Sequence, residues 1–225
     1  EPFWFKQPSP RSSRPSLRLQ STSLAMERVQ LSTPHKSRVH SIIVTHRLAL
    51  AKPRLGERLL AEFVGTFFLV LTVGVAAVGG GSMAPVAIGL VLAAQIYTFA
   101  AVSGGFLNPA VTLAVRLSGR QKISLQSALL YVVVQCLGAV IGGLCAFAAT
   151  GSTFRFAFGA GRGLGTSIEL EVLFTMALCS IVLSAVTSND SPNHHFGFAV
   201  GVTSAALTSG AFGQGSFNPA VTLGV

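Results

Sequence analysis

The sequence predicts an all-α membrane protein built as an inverted repeat, each half carrying three membrane spans and one re-entrant half-helix, with the last span absent from this chain. Three observations predict it. Half of the 225 residues are hydrophobic, only 10% are charged, and from Leu59 onward charge almost disappears. The tripeptide Asn-Pro-Ala occurs twice, at Asn108-Pro109-Ala110 and Asn218-Pro219-Ala220, and both copies continue as Val-Thr-Leu. Each copy also follows a Glu set in an apolar run. Glu62 stands 46 residues before Asn108 and Glu171 stands 47 before Asn218, and a Thr follows each Glu four residues on, Thr66 and Thr175. Self-similarity at a fixed spacing marks a duplication.

Residues 1–55 come first and hold ten of the sixteen Lys and Arg, against Glu1 and Glu27 as acids. Rich in Ser, Arg and Pro and without a sustained period, this segment reads as a disordered basic tail. Its origin stays open between a basic cytosolic tail, an Arg/Ser-rich organellar transit peptide and translated sequence upstream of a start at Met26. The net charge of +9 invites a nucleic-acid partner, but a charge confined to a tail before apolar spans does not build a binding face, and none is expected.

Five stretches are long and apolar enough to cross a bilayer: Leu59–Gly81, Met83–Val102, Leu125–Ala149, Ile168–Val186 and the shorter Phe196–Phe212. They are apolar on all sides, which excludes the one-faced pattern of a soluble helical core. Small residues such as Gly138 and Gly142 suit close packing of helices in lipid. The duplication divides the chain into a first repeat over residues 56–150 and a second over 151–225. Cys136, Cys145 and Cys179 all fall within spans, read as small buried hydrophobes, and form no metal or disulfide spacing. No metal or other cofactor is expected.

Basic residues fix the orientation. Lys52, Arg54 and Arg58 precede the first span, and Arg116, Arg120 and Lys122 lie between the second and third. The third-to-fourth connection holds only Arg155 and Arg162, and the fourth-to-fifth holds no Lys or Arg. The positive-inside bias therefore places the N terminus in the cytosol.

Between the second and third spans the chain is too short for a crossing and return in full helix. Asn108 reads as an N-cap and Pro109 as the first helical residue. Ala110 to Arg116 then make two turns, roughly 11 Å long. That reaches the bilayer middle and no further. Gly104 and Gly105 permit the bend into it, and Asn218-Pro219 repeats the design. With three spans per repeat the second copy inserts upside down, so the half-helices meet end to end at the midplane. Both positive dipole ends and both Asn amides then face one spot, which disfavours cations and offers hydrogen bonds to a neutral solute.

The paired motifs, with AEFVGTFFLV at 61–70, SGGFLNPAVTLAV at 103–115 and GSFNPAVTLG at 215–224, resemble the aquaporin, or major intrinsic protein, family over about residues 56–225. The resemblance implies a homotetramer in the lipid bilayer, each protomer with six spans and its own pore for water and small neutral solutes such as glycerol or urea. It also implies a selectivity ring at Ile88, Ala206, Gly215 and Val221. The last is Arg in most of the family, so this ring is wider and apolar. Glu62 and Glu171 are implied to support the half-helices by accepting backbone hydrogen bonds. His194 and His195, ahead of the fifth stretch, stand where some plant members gate. Glu169, one residue into its span, is expected to snorkel outward.

Only seven residues follow Asn218, where 41 lead from Asn108 to the end of the third stretch. The chain therefore reads as a fragment lacking its sixth span. No phosphate loop, metal spacing or nucleophile beside a base suggests an enzyme. The alternative from another class is a non-conducting structural or regulatory membrane protein on the same fold, and vesicle swelling under an osmotic step separates the two.

Overall fold

The computed structural model describes residues 52–79, 81–152, 163–187 and 216–225. The fifth apolar stretch lies outside them, as does the basic tail apart from Lys52, Pro53, Arg54 and Leu55. Among the described residues there is no strand. The elements are α1 (Leu55–Gly79), a 3-10 turn (Gly81–Met83), α2 (Ala84–Ser103), α3 (Pro109–Leu117), α4 (Leu125–Thr150), α5 (Leu164–Thr187) and α6 (Pro219–Gly224). Four segments, Leu55–Gly79, Gly81–Ser103, Leu125–Thr150 and Leu164–Ser184, are long and apolar enough to cross a membrane.

α1 starts four residues before the hydropathy boundary at Leu59. The cause is a cap. The Arg54 N–H donates to the Glu57 carboxylate at 2.9 Å, so a polar first turn is helical although no apolar pattern marks it. α2 stops at Gly104, whose φ of +99° is left-handed, with its N–H on the Ala100 carbonyl. α4 opens on Ser124, which accepts from the Ser127 N–H at 3.1 Å, and closes on Gly151 at φ +68°. α5 begins at Leu164, four residues ahead of the expected Ile168.

Glycine contacts give the helix directions. A Cβ built on Gly138 would stand 2.5 Å from the Phe63 carbonyl oxygen, and one on Gly142 would stand 2.5 Å from that of Phe67. Further along, Gly74 of α1 faces Ala146 of α4. Positions rise together on the two helices, so α1 and α4 run parallel, their backbones in contact through the small residues. α2 runs antiparallel to α1: Gly65 meets Phe99, and Glu62 bonds Ser103. Lys52, Arg54, Arg58, Arg120 and Lys122 therefore gather at one end of the bundle.

The outward faces are apolar. Leu60, Phe68, Leu90, Leu129, Leu144 and Ile168 are all exposed, as a bilayer requires and water would punish. The cysteines depart from expectation: Cys136 and Cys179 are half-buried and Cys145 is exposed. A helix that is apolar on every side does not announce which face turns inward.

Filling the α1–α4 contact tests this packing. Gly138→Val places branched carbons against the α1 backbone, where no flexible side chain can yield. The substitution should lower stability by about 1–3 kcal/mol, the usual cost of overpacking. Thermal unfolding of the purified protein in detergent measures it, and an unchanged transition would show that the helices do not approach as described.

Candidate functional site

The two Asn-Pro-Ala segments fold alike because the same local chemistry acts on each. Asn108 is extended (φ −158°, ψ 122°) and its Oδ1 accepts from the Ala110 N–H at 2.8 Å. Asn218 (φ −152°, ψ 106°) accepts from the Ala220 N–H at 3.0 Å. Each is the N-cap of a short helix with Pro in the first position, where the missing N–H costs nothing. The residue before each Asn is left-handed without being glycine, Leu107 at φ +50° and Phe217 at φ +44°. Such a conformation is held by its surroundings.

Those surroundings are the two glutamates. Glu62, fully buried, accepts from the Leu107 N–H at 2.7 Å, the Phe106 N–H at 3.0 Å, the Ser103 hydroxyl at 2.6 Å and the Gln135 amide at 2.8 Å. Glu171 accepts from the Phe217 N–H at 3.1 Å, the Ser216 N–H at 2.9 Å and the Ser216 hydroxyl at 3.4 Å. Both carboxylates thus take the two N–H groups that precede the Asn of their own repeat. Glu171 is only half-buried and borders a cleft of ≈ 580 Å³, shared with Thr175, Ser216, Asn218 and Thr222.

The repeats are tied across the middle. The Asn108 amide donates to the Phe217 carbonyl at 2.7 Å, and the Asn218 amide donates to the Leu107 carbonyl at 2.9 Å. From this point the half-helices diverge. α3 leads towards the start of α4, and α6 packs Gly224 against Ala139 and Gly143 further along it. Two helix N-termini therefore face each other within a bundle of membrane-length helices. The major intrinsic protein family model matches residues 49–225. The chain belongs to the major intrinsic protein family.

Its relatives span bacteria, plants and amoebae. A glycerol uptake facilitator-like protein of Lactiplantibacillus plantarum is 35% identical over 185 residues, covering 75% of this chain and 82% of the relative. A Zea mays protein named Aquaporin TIP1-2 is 34% identical, covering 78% and 76%. Aquaporin A of Dictyostelium discoideum is 33% identical, covering 80% and 71%. As a major intrinsic protein with four span-length apolar helices, the chain is an integral membrane protein.

Of the expected ring, the structure brings Ile88 and Val221 into one apolar cluster with Leu69, Val70, Val73 and Ala139. Ala206 and Gly215 lie outside the described residues, as do His194 and His195. Glu169 is exposed. One expectation changes in detail. The Asn amides do not wait free for a solute: each already spends one hydrogen on the opposite repeat, which leaves one of its two.

Sequence reasoning missed Ser103, Tyr131 and Gln135. Tyr131, fully buried, accepts from the Arg58 guanidinium at 2.8 Å and donates to the Ser103 carbonyl at 2.9 Å. A signal existed for Gln135: a long amide in the middle of an apolar span is costly unless partnered.

Glu62 should matter more to folding than Glu171. Glu62→Leu strands four donors in a closed interior, at about 1–3 kcal/mol for each one left unmet, whereas Glu171 borders a cleft that can hydrate its donors. Thermal unfolding in detergent should show the larger loss for Glu62→Leu, and equal losses would remove the distinction.

Proposed function

We propose that this protein is a passive channel for water and small neutral solutes such as glycerol or urea, and that it excludes ions and protons where the half-helices meet. The observation that carries this reading is the pair of opposed N-termini, each presenting an Asn amide. Each helix end carries about half a positive charge, so a cation approaches two repulsive ends. A neutral solute finds the remaining amide hydrogens as donors. The names of relatives, a glycerol uptake facilitator-like protein and several aquaporins, support the same substrate class.

The proposed ring extends the reading to selectivity. Ile88 and Val221, which share one apolar cluster, would contribute aliphatic walls with no donor, and Ala206 and Gly215 would add little bulk. An apolar constriction does not replace an ion's hydration shell, yet it leaves room for a three-carbon polyol. The same reading takes the basic end of the bundle, where α1 begins, as cytosolic, and the protein as a homotetramer with one pore per protomer.

Stopped-flow light scattering on vesicles containing the protein tests the substrate class. Both water and glycerol or urea should equilibrate faster than in protein-free vesicles. Water flux without solute flux would reject the wide ring, and no flux at all would favour a non-conducting role.

Two substitutions probe the proposed ring at its two described positions. Val221→Arg adds a planar group of fixed donors, and Ile88→Phe narrows the same region without charge. Each should lower the glycerol-to-water flux ratio by roughly tenfold, which corresponds to about 1.4 kcal/mol of added barrier. An unchanged ratio in both folded variants would mean that neither residue lines the constriction.

A further inference from the structure

In the first repeat, Gln135 of α4 spends both hydrogens of its amide on two different elements. One goes to the Glu62 carboxylate at 2.8 Å and the other to the Thr112 hydroxyl at 3.0 Å. Thr112, one turn into α3, passes its own hydrogen to the Asn108 carbonyl at 2.9 Å, nearer than the 3.4 Å to the Gln135 amide oxygen. Glu62, Gln135 and Thr112 are all fully buried. The result is a tether from the carboxylate that holds the loop to the first turn of the half-helix.

The second repeat joins the corresponding groups with a different residue. There Thr222 reaches the Ser216 hydroxyl at 2.6 Å, and Ser216 reaches Glu171 at 3.4 Å. Ser216 stands two residues before Asn218. Two residues before Asn108 stands Phe106, which has no side-chain donor or acceptor. The first repeat therefore recruits an amide from a neighbouring span to make a connection that the second makes within its own loop. One linkage, built twice from unlike parts, indicates that the linkage itself is what the meeting point requires.

We propose that Gln135 is a positioning residue for ion exclusion: by tying Glu62 to Thr112 it fixes the N-terminus of α3 against that of α6, and Ser216 does the same for α6. Neither residue needs to touch the permeant. Apart from the tether, α3 is held by the apolar packing of Val111 and Val115 and by the Asn108 amide bond to Phe217, and none of these ties its first turn to Glu62. Without the tether the loop stays bonded to Glu62 while the first turn of α3 can shift. Such a shift turns its dipole off the axis and loosens the amide bond from Asn108 to Phe217. Cations should then enter more readily, while water, which needs no single fixed donor, passes much as before. The inference rests on the channel reading proposed above.

The test uses Gln135→Met, close in size but without donors, Thr112→Val, and the double variant. Water flux is read by stopped-flow on vesicles and cation leak by conductance across planar bilayers, both scaled to folded protein. Each single substitution should raise the ratio of cation conductance to water flux at least about twofold. The double should raise it no more than the larger single, since both remove one shared linkage. Loss of folded protein alone lowers both quantities and cannot raise their ratio. Wild-type ratios in the folded single variants, or effects that multiply in the double, would overturn the proposal. If Gln135→Met does not assemble, Thr112→Val decides alone. If the wild-type protein passes water and the variants keep its ratio, only this inference falls. If the wild-type protein passes no water, the channel reading falls and takes this one with it.

Discussion

Everything at the centre of this molecule depends on two residues, Leu107 and Phe217, the ones that precede Asn108 and Asn218. Each is held from both sides. The Leu107 N–H is bound by Glu62 and its carbonyl by the Asn218 amide; the Phe217 N–H is bound by Glu171 and its carbonyl by the Asn108 amide. Each repeat's carboxylate thus holds the N–H of a residue whose carbonyl accepts from the opposite repeat. That arrangement forces a left-handed backbone on Leu and Phe, residues that adopt it reluctantly. Their conformation is the local cost of setting two helix N-termini against each other, where their dipoles repel.

The long helices exist to make that centre possible in lipid. Backbone that leaves helical structure at membrane depth must find its partners inside the protein. Residues 105–107 do so on Glu62 and Ser103, and Ser216 and Phe217 do so on Glu171. Glu62 can sit so deep only because α1 and α4 touch backbone to backbone at Gly138 and Gly142, which brings Gln135 within reach of it. Close packing of small residues and satisfaction of a buried carboxylate are therefore one construction. The Arg58–Tyr131–Ser103 chain extends it to the basic end of the bundle.

Much of this was legible in the sequence, for identifiable reasons. Apolar runs gave four of the described helices, since length and composition suffice there. The caps at Asn108 and Asn218 were readable because Asn followed by Pro has one strong local meaning. The helical turn before Leu59 was not, because its cap comes from Glu57 reaching back to Arg54, and hydropathy is blind to that bond. Nor was the exposure of Cys145, since nothing along α4 distinguishes a lipid face from a packed one. The reciprocal Asn bonds also escaped the sequence. A motif names the groups that meet, and only the structure says that each amide has already given one hydrogen to the other half.

The reciprocal Asn bonds bear on how the proposed channel would treat ions. At the meeting point the Asn108 and Asn218 side-chain oxygens accept from Ala110 and Ala220, and the Leu107 and Phe217 carbonyls accept from the two amides. Each of these oxygens has already given a lone pair to a hydrogen. A cation stripped of water needs several oxygens at once, and each of these keeps only one of its two lone pairs and is held in place by the bond it already accepts. A neutral solute asks for less, since one acceptor of its own meets one spare amide hydrogen. The two carboxylates do not reverse this balance. Their nearest hydrogens come from the loops behind the half-helices, so they act as capping charges that stabilise the helix ends rather than as ligands on the path. Discrimination on this account adds to the repulsion by two helix ends a partial commitment of the oxygens around them, and that commitment is a property of the hydrogen-bond geometry that only the assembled pair of repeats creates.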